Sequence, residues 1–229
     1  MGDKKIEIYV ITTGNDARLE RVSQILHGFD LNFVFSEDFD VLSEKEKFYK
    51  KSSHRFRQKA IMAGEIGAFM THSFAWERVV RSGKPAIIIE DNIDFIKPPS
   101  SLFSAEVIET VARCGVVSFT DFSYKISHED PFLISDVPQK KPLPIVCYGV
   151  TPERAETFLK AMKKHPYVLP VDKWMSVPRL CGCSCFVSPD SIAKRARGVT
   201  SIANKRKGER TLNPVNMLFW VINKSRYGY

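Results

Sequence analysis

Residues 64–95 read GEIGAFMTHSFAWERVVRSGKPAIIIEDNIDF, and this stretch predicts a helix followed by a buried strand. In its first half, apolar residues recur mostly three or four positions apart, as on one face of a helix; they are Ile66, Phe69, Met70, Phe74 and Val80. The polar side chains are expected on the other faces of the helix: Glu65, Thr71, His72 and Glu77. Gly83 and Pro85 should end the helix, so the apolar stripe predicts packing against a core.

The second half of the stretch predicts a strand of a parallel sheet. Residues 86–89 form a short apolar run rich in β-branched side chains, which is typical of a strand buried on both faces. Polar residues follow directly, at the edge where open α/β sheets bind ligands: Glu90, Asp91, Asn92 and Asp94. Carboxylates this close repel one another unless a cation lies among them. The cluster therefore indicates either a cation site or a solvated acidic loop.

These residues also carry a resemblance. GEIGAFMTHSFAWERVV followed by AIIIEDN resembles the signature of glycosyltransferase family 25, the lipooligosaccharide galactosyltransferases and their relatives. That signature joins GEIGC, a Ser-His pair and a helical Trp to a hydrophobic strand that ends in Glu-Asp-Asp. The chain departs from it at Ala68, which replaces the Cys, and at Asn92, which replaces the third acid. The resemblance extends from about residue 6 to about residue 203 and covers most of the chain.

The resemblance implies an α/β fold similar to the nucleotide-diphosphosugar transferases, of the GT-A type, with a mostly parallel sheet. Predicted strands and helices alternate along the chain, which agrees with this class. A length of 229 residues suits a single domain. We place its donor-nucleotide half at about residues 1–122 and its acceptor half at about residues 123–229.

Further elements are predicted on both sides of the organising stretch. Strands are expected at residues 6–12, 32–35 and 115–119, and helices at residues 17–29, at residues 105–112 and from Pro152. Residues 44–63 are expected to form a flap or plain surface, residues 127–144 a long loop, and residues 212–229 a docked or membrane-apposed helix.

Composition and charge indicate the cellular compartment of the protein and the class of partner it binds. No apolar run approaches the roughly 20 residues needed to cross a bilayer, and the amino end, MGDKKIEIYV, lacks the apolar core of a signal peptide. We therefore expect a cytoplasmic protein. A net charge of +8, concentrated in residues 194–210, favours an anionic partner. No aromatic interleaving or nucleic-acid-binding motif accompanies it, so we expect no nucleic acid there, but either an anionic membrane surface or a solvated basic face.

Three of the five cysteines lie in the sequence CGCSC, at Cys181, Cys183 and Cys185. An odd number of cysteines argues against a disulfide framework. Alternate spacing would place all three thiols on one face of a strand, where cysteine packs as a small apolar side chain. We favour that interpretation over metal binding, because no second ligand cluster of zinc spacing accompanies them.

The first predicted strand and helix indicate a nucleotide site. The loop between them, residues 13–16, has helix-capping chemistry, and backbone amides at a helix start bind phosphate. We therefore expect Thr12, Thr13 and Arg18 to contact the diphosphate or the uracil of a sugar nucleotide, although Arg18 is equally consistent with a solvent-facing helix residue. The resemblance supports Arg18, since family members carry an Arg pair near this position; the second of the pair is Leu19 here.

The resemblance further implies inverting transfer of a hexose, galactose from UDP-galactose, to a saccharide of lipooligosaccharide or lipopolysaccharide. A divalent cation, Mn²⁺ or Mg²⁺, is expected at Asp91 and Asn92 to stabilise the departing diphosphate. Asp172, in a Pro-Val-Asp element, is the expected catalytic base, with Asp121 as its alternative.

Several roles remain open on the sequence alone. Glu65, His72 and Glu90 are expected to line the donor pocket, yet His72 is equally consistent with a structural histidine and Asp172 with a helix cap. Two other functions also remain: a catalytically silent family member that binds a sugar nucleotide or glycolipid, suggested by Asn92, and a basic module for nucleic acid, suggested by charge alone.

Overall fold

The computed structural model describes residues 6–35, 63–121, 130–134, 142–164 and 169–196. The strands in these ranges are β1 (Glu7–Thr12), β2 (Leu31–Phe35), β3 (Ala86–Glu90), β4 (Ile93–Phe95), β5 (Val116–Ser118), β6 (Phe132–Leu133), β7 (Cys147–Val150), β8 (Phe186–Val187) and β9 (Ala193–Arg195). The helices are α1 (Asp16–Ile25), α2 (Ala63–Ser82), α3 (Ala105–Cys114), α4 (Pro152–Lys164), α5 (Val171–Met175) and α6 (Pro178–Cys181), with a 3₁₀ turn at Pro99–Phe103.

Seven of these strands form one sheet in the order β2-β1-β3-β7-β5-β8-β6. Strands β2, β1, β3, β5 and β8 run in one direction, and β7 and β6 run in the other. The prediction of an α/β fold with a mostly parallel sheet is therefore confirmed. Strands β4 and β9 pair separately, antiparallel, with Ile93 opposite Arg195.

Strand β3 lies inside the sheet because both of its faces are apolar. Its residues Ala86, Ile87, Ile88 and Ile89 are fully buried. Alternation sends Ala86 and Ile88 into a core shared with α2, α4 and α5, and sends Ile87 and Ile89 into a second core shared with α1 and α3. Burying each isoleucine side chain contributes about 1.5–3 kcal/mol, so this strand anchors helices on both faces.

Helix α2 is buried more completely than its apolar stripe predicts. Glu65, Thr71 and His72, which were predicted on the faces away from the apolar stripe, are 9%, 1% and 1% exposed, so these faces are buried as well. Conversely, Val80 is 37% exposed. The physical reason is that α4 and α5 pack against α2 in addition to the sheet, which covers faces that an amphipathic surface helix leaves open. Trp76, which the stripe omits, is fully buried.

Some predicted boundaries also change. Helix α1 ends at Ile25 instead of Phe29, and the chain then reverses at Gly28, whose φ is +88°. The predicted loop at residues 127–144 contains β6. Asp172, in the Pro-Val-Asp element, lies in the first turn of α5.

The cysteine prediction is wrong in its geometry. Cys181 ends α6, and Gly182 follows in the left-handed region with φ +84°, so the three thiols do not lie along one strand face. All three are nevertheless buried, as predicted.

Several sequence predictions lie outside the described residues. They are almost all of the flap at residues 44–63, the helix at residues 212–229, and the basic segment beyond residue 196. Among the helices that the described ranges contain, none is long and apolar enough to cross a bilayer.

Candidate functional site

Strands β1, β3 and β5 run in the same direction, so their carboxyl ends meet at one edge of the sheet. Thr12 closes β1 and Glu90 closes β3, with Asp91 directly after it. Asp121 follows β5, with its backbone N–H donating to the Ala193 carbonyl at 2.6 Å. The edge therefore gathers residues that lie far apart in the sequence, as ligand sites of open α/β sheets do.

Asp91 organises the loop after β1. Its Oδ2 accepts a hydrogen bond from Thr12 Oγ1 at 2.9 Å and one from the Thr13 backbone N–H at 3.3 Å. Its Oδ1 lies 3.3 Å from Arg18 Nη1, and both side chains are mostly buried. The Asn15 side chain caps α1 by accepting from the Arg18 backbone N–H at 3.1 Å, which confirms the predicted capping loop. Asp91 thus holds together Thr12, Thr13 and Arg18, which the sequence assigns to donor binding.

Glu90 has two basic neighbours. His72 Nε2 lies 3.7 Å from Glu90 Oε1, and Arg195 Nη2 lies 3.7 Å from Glu90 Oε2. Burial alone would raise the pKa of Glu90, but His72, Arg195 and the Asn92 amide together outweigh it and lower that pKa. Glu90 is therefore ionised at neutral pH and can accept hydrogen bonds from a polyhydroxylated ligand.

His72 is positioned by a buried chain of hydrogen bonds. Trp76 Nε1 donates to the Tyr148 hydroxyl at 2.9 Å, and that hydroxyl lies 2.8 Å from His72 Nδ1. Burial raises the pKa of Tyr148 well above its ordinary value, so the hydroxyl keeps its proton. Since it accepts from Trp76, we assign its proton to the bond with Nδ1, which places the imidazole proton on Nε2, facing Glu90.

Asp172 lies in the electrostatic range of Glu90 and Arg195, although it comes from α5 in the other half of the chain. Its Oδ1 accepts a hydrogen bond from the Lys173 backbone N–H at 2.8 Å. Burial raises the pKa of Asp172, and the Glu90 charge adds to this, while Lys173 and Arg195 partly offset it. A partly buried carboxylate of raised pKa is a suitable general base. The N-cap residue of α5 is Pro170, so the alternative that Asp172 caps this helix is wrong.

The other two predicted site residues have different surroundings. Asp121 is exposed, and its position after β5 keeps it at the same edge. Glu65 is buried near the start of α2. The structure thus brings Thr12, Thr13 and Arg18 together around Asp91 and places His72 beside Glu90, with Asp172 in the electrostatic range of Glu90.

The acids after β3 already have cationic partners within the protein. Besides the pairs at Glu90 and Asp91, Arg21 Nη2 lies 2.6 Å from Asp94 Oδ1. Arg18, Arg21 and Arg195 therefore supply the positive charge that the sequence predicts for a metal ion.

A metal at Asp91 and Asn92 does not fit the chain alone. Both Asp91 oxygens are occupied by Thr12, Thr13 and Arg18. Among the described residues, no three His, Asp or Glu ligand atoms converge at this edge as a metal site requires. One feature favours an added ligand: Asn92 Oδ1 is buried without a hydrogen-bond partner in the described part of the chain.

Sequence reasoning missed Arg195 and Tyr148 as site residues. By sequence, Arg195 belongs to the basic segment at residues 194–210. It reaches Glu90 because β9 pairs with β4, where the Ala196 N–H also donates to the Asn92 carbonyl at 2.7 Å. Nothing local in the sequence signals that pairing. Tyr148 could have been found from the sequence, because its hydroxyl is a polar group within an otherwise apolar strand. A buried tyrosine hydroxyl needs a hydrogen-bond partner.

Comparison with known proteins gives a family match over most of the chain. The model of glycosyltransferase family 25, described as LPS biosynthesis protein, matches residues 5–175. A glycosyltransferase 25 family member from Anopheles gambiae is 30% identical over 100 residues, which are 38% of this chain and 17% of the relative. One from Aedes aegypti is 27% identical over 135 residues, which are 54% of this chain and 22% of the relative. The chain therefore spans only about a fifth of the length of these curated relatives.

A solved structure of a glycosyltransferase involved in the glycosylation of the major capsid of PBCV-1 is also similar. The likeness covers 90% of this chain and 98% of that one, at 10% sequence identity and a TM-score of 0.44. A likeness of this degree does not bear on function.

Proposed function

Because the chain belongs to glycosyltransferase family 25, we propose that it transfers a hexose from a nucleotide sugar to a saccharide acceptor at the edge formed by β1, β3 and β5. The observation that carries the proposal is the pair of Glu90 and Arg195, 3.7 Å apart at this edge, with Asp172 in the electrostatic range of both. A carboxylate of raised pKa that senses an ionised carboxylate and a guanidinium offers a base, in addition to a sugar-binding acceptor and a phosphate-binding cation.

The proposed reaction is an inverting displacement. The acceptor hydroxyl oxygen forms a bond to the anomeric carbon of the donor, the bond between that carbon and the diphosphate oxygen breaks, and its electron pair leaves with the nucleoside diphosphate. The hydroxyl proton passes to the Asp172 carboxylate. Asp121 is the alternative base, since it lies exposed at the same edge.

We assign the departing diphosphate to Arg18 and Arg195. Arg18 follows the start of α1, where the helix dipole also favours an anion. It faces Asp91 in the free protein, so it would turn from that carboxylate to the phosphate when the donor binds. The Arg195 side chain is 53% exposed and can reach a ligand without leaving a buried position. Charge-assisted hydrogen bonds of this kind stabilise the leaving group as its charge develops.

The predicted Mn²⁺ or Mg²⁺ remains a prediction. The described residues alone do not form a cation site, so a metal would depend on oxygen atoms of the nucleotide diphosphate. Asn92 Oδ1, which has no hydrogen-bond partner among those residues, would be the protein ligand. No step above requires it.

The finer specificity follows from the family resemblance. We propose galactose from UDP-galactose as the transferred sugar and a saccharide of lipooligosaccharide as the acceptor. We further propose a cytoplasmic enzyme that is attracted to an anionic membrane surface by the basic residues after β9.

A transfer assay tests the proposal. The chain is incubated with UDP-galactose and a lipid-free saccharide acceptor, and released UDP is measured, with UDP-glucose, UDP-N-acetylglucosamine and GDP-mannose as comparison donors. We expect acceptor-dependent release of UDP and a product of inverted anomeric configuration. A retained configuration would contradict the displacement.

A catalytically silent member is the second candidate, favoured by Asn92 and by the occupied Asp91 carboxylate. Such a protein would be stabilised against heat by a nucleotide sugar, because the ligand binds only the folded state. It would release no UDP with any acceptor, so thermal shift and transfer together separate the two functions.

A further inference from the structure

The thiols of Cys181, Cys183 and Cys185 converge on one point. Their three sulfur atoms all lie within 4.8 Å of one another. The residues are 0%, 6% and 1% exposed, whereas Gly182 and Ser184 between them face solvent. On one face of a strand, by contrast, every second side chain is present and neighbouring ones are about 6.6 Å apart along the strand.

The backbone between α6 and β8 creates this convergence. Cys181 ends the helix, and Gly182 reverses the chain with φ +84°, so Cys183 returns toward Cys181. A side chain at Gly182 would be strained at this φ, and its Cβ would meet Thr157 Cγ2 of α4 at 3.0 Å. The turn is therefore held against α4, which fixes where the thiols point.

Apolar packing alone does not require sulfur at all three positions. Cys181 Sγ donates to the Cys183 carbonyl at 3.1 Å, so this thiol is also used as a polar group. The remaining cysteines of the described chain, Cys114 and Cys147, belong to the other core, which is shared with α1 and α3. The cluster is thus a local concentration of thiols.

The spacing suits a thiophilic metal ion. Zinc binds thiolate sulfur at about 2.3 Å in tetrahedral geometry, so ligating sulfurs lie about 3.8 Å apart. Sulfurs already within 4.8 Å of one another need to move by less than a bond length to reach that geometry. Protein thiolates select zinc and Cu(I) among the common metals.

Charge favours zinc. Three thiolates with a divalent ion leave one negative charge, whereas with Cu(I) they leave two, and buried net charge is costly without a partner. Arg154 lies in the electrostatic range of Cys183 and can offset a single charge. No fourth His, Cys, Asp or Glu joins the group in the described residues, so the protein ligands proposed here are the three thiolates alone.

We propose that Cys181, Cys183 and Cys185 form a three-thiolate zinc site that fastens the turn between α6 and β8. The site uses none of the residues assigned to glycosyl transfer, so its test does not depend on that function.

Metal titration of the full, reduced chain tests the site, with cadmium as the spectroscopic probe. Cadmium bound to thiolates gives an ultraviolet charge-transfer band, and we expect it to saturate at one ion per chain with the intensity of three thiolates. Cadmium is softer than zinc and binds thiolate more tightly, so cadmium should displace bound zinc from the site at a ratio of one ion per chain. Binding should weaken as the pH falls, because each ligand must lose a proton. Absence of the band, or a zinc-loaded chain that releases no zinc as the band appears, would overturn the proposal.

Serine variants provide the matched comparison. Cys183→Ser should weaken zinc binding by more than the about 10–100-fold that loss of an outer-sphere partner produces. Cys114→Ser removes a buried thiol outside the cluster and should bind zinc like the wild type. Equal zinc affinity in Cys183→Ser and wild type would contradict the site.

Two measurements on the wild type cover the case in which Cys183→Ser does not fold. Zinc should slow alkylation of the three clustered cysteines relative to Cys114 and Cys147, as mapped by peptide mass spectrometry. Unchanged alkylation rates would refute metal ligation. A disulfide between two of the three in the protein isolated without reductant would replace the metal site with a redox pair.

Discussion

Asp172 is the residue on which the proposed chemistry depends most directly. Asp172→Asn should reduce turnover by about 10²- to 10⁴-fold, the usual loss on removing a general base, because the amide cannot take a proton from the acceptor hydroxyl. Affinity for the donor should change little, since the base acts on the acceptor. Steady-state kinetics and donor calorimetry measure the two effects. Near wild-type turnover of Asp172→Asn would remove Asp172 from the mechanism. Asp121→Asn is then the next test, and a loss of turnover in that variant would assign the base to Asp121.

The raised pKa of Asp172 also predicts a stability effect. A carboxyl whose pKa is higher in the folded state than in the unfolded chain lowers stability once it ionises, as pH rises through the folded-state pKa. Asp172→Asn should therefore be more stable than the wild type at neutral pH, and the difference should vanish at a pH below the unfolded value of about 3.9. Urea denaturation across this pH range measures it, and a destabilised variant at neutral pH would contradict the raised pKa.

Asn92 is the residue that determines how tightly a metal ion binds next to Asp91. An amide oxygen adds no charge, and Arg18 occupies Asp91, so Mn²⁺ should bind weakly to the free chain and more tightly when UDP is present. Asn92→Asp should raise the affinity without nucleotide, and Asp91→Ala should abolish binding. Calorimetric titration of Mn²⁺ with and without UDP checks both variants. If the wild type, Asn92→Asp and Asp91→Ala bound Mn²⁺ with the same affinity, with and without UDP, the proposed metal site at this edge would be wrong.

The hydroxyl of Tyr148 should contribute strongly to stability, although it is a single group. Tyr148→Phe removes one hydroxyl and leaves both Trp76 Nε1 and His72 Nδ1 buried without their partner. A buried group left unsatisfied costs about 1–3 kcal/mol, and the free energy of unfolding should fall by at least that amount. Tyr9→Phe is the matched control, because its hydroxyl donates to Glu7 in a partly buried pair. Equal losses in the two variants would argue against a buried network at His72.

At the scale of elements, α3 packs directly on β7 because Gly149 has no side chain. A Cβ at Gly149 would lie 2.2 Å from Val111 Cγ2, which is far inside van der Waals contact. Gly149→Ala should therefore lower the free energy of unfolding by about 1–3 kcal/mol through overpacking. Val111→Ala in the same chain should recover part of this loss by opening space. Thermal unfolding of the single and double variants tests the contact, and purely additive losses would rule it out.

Gly28→Ala is the comparison for Gly149→Ala, because it introduces backbone strain without overpacking. A Cβ at Gly28 meets nothing within 4 Å, and the substitution acts through its φ of +88° alone. We expect a loss of about 1–2 kcal/mol, from holding an L-residue in the left-handed region. No second-site substitution on a helix should rescue it.

At the scale of the whole molecule, the basic residues near the end of the sequence divide into two groups. Arg195 contacts Glu90 and is expected to support transfer, so Arg195→Ala should reduce turnover with a soluble acceptor. Neutralising Lys194, Arg197, Lys205, Arg206 and Lys207 should instead weaken binding to anionic vesicles by about 1 kcal/mol per charge, in a salt-dependent way. Vesicle sedimentation and the soluble-acceptor assay measure the two effects. Loss of soluble transfer in the second variant would place those residues in the active site.

The sequence by itself determined the family, the mostly parallel α/β sheet, the buried strand β3 and the acids at its end. These features are local: periodicity of two or about 3.6 residues, β-branched composition and fixed spacing within one stretch all act between near neighbours. It also predicted Thr12, Thr13, Arg18, Glu90 and Asp172 as site residues. The structure places the first four at one edge of the sheet and Asp172 in the electrostatic range of Glu90.

Only the tertiary structure decided what surrounds those residues. Arg195 reaches Glu90 through the pairing of β4 with β9, about a hundred residues apart in sequence, and Tyr148 meets His72 through the packing of β7 against α2. The same packing buries Glu65, Thr71 and His72, which periodicity assigned to the faces away from the apolar stripe. The three thiols likewise converge only because Gly182 reverses the chain against α4. Contacts between distant segments depend on how whole elements pack, and no spacing along the chain encodes them.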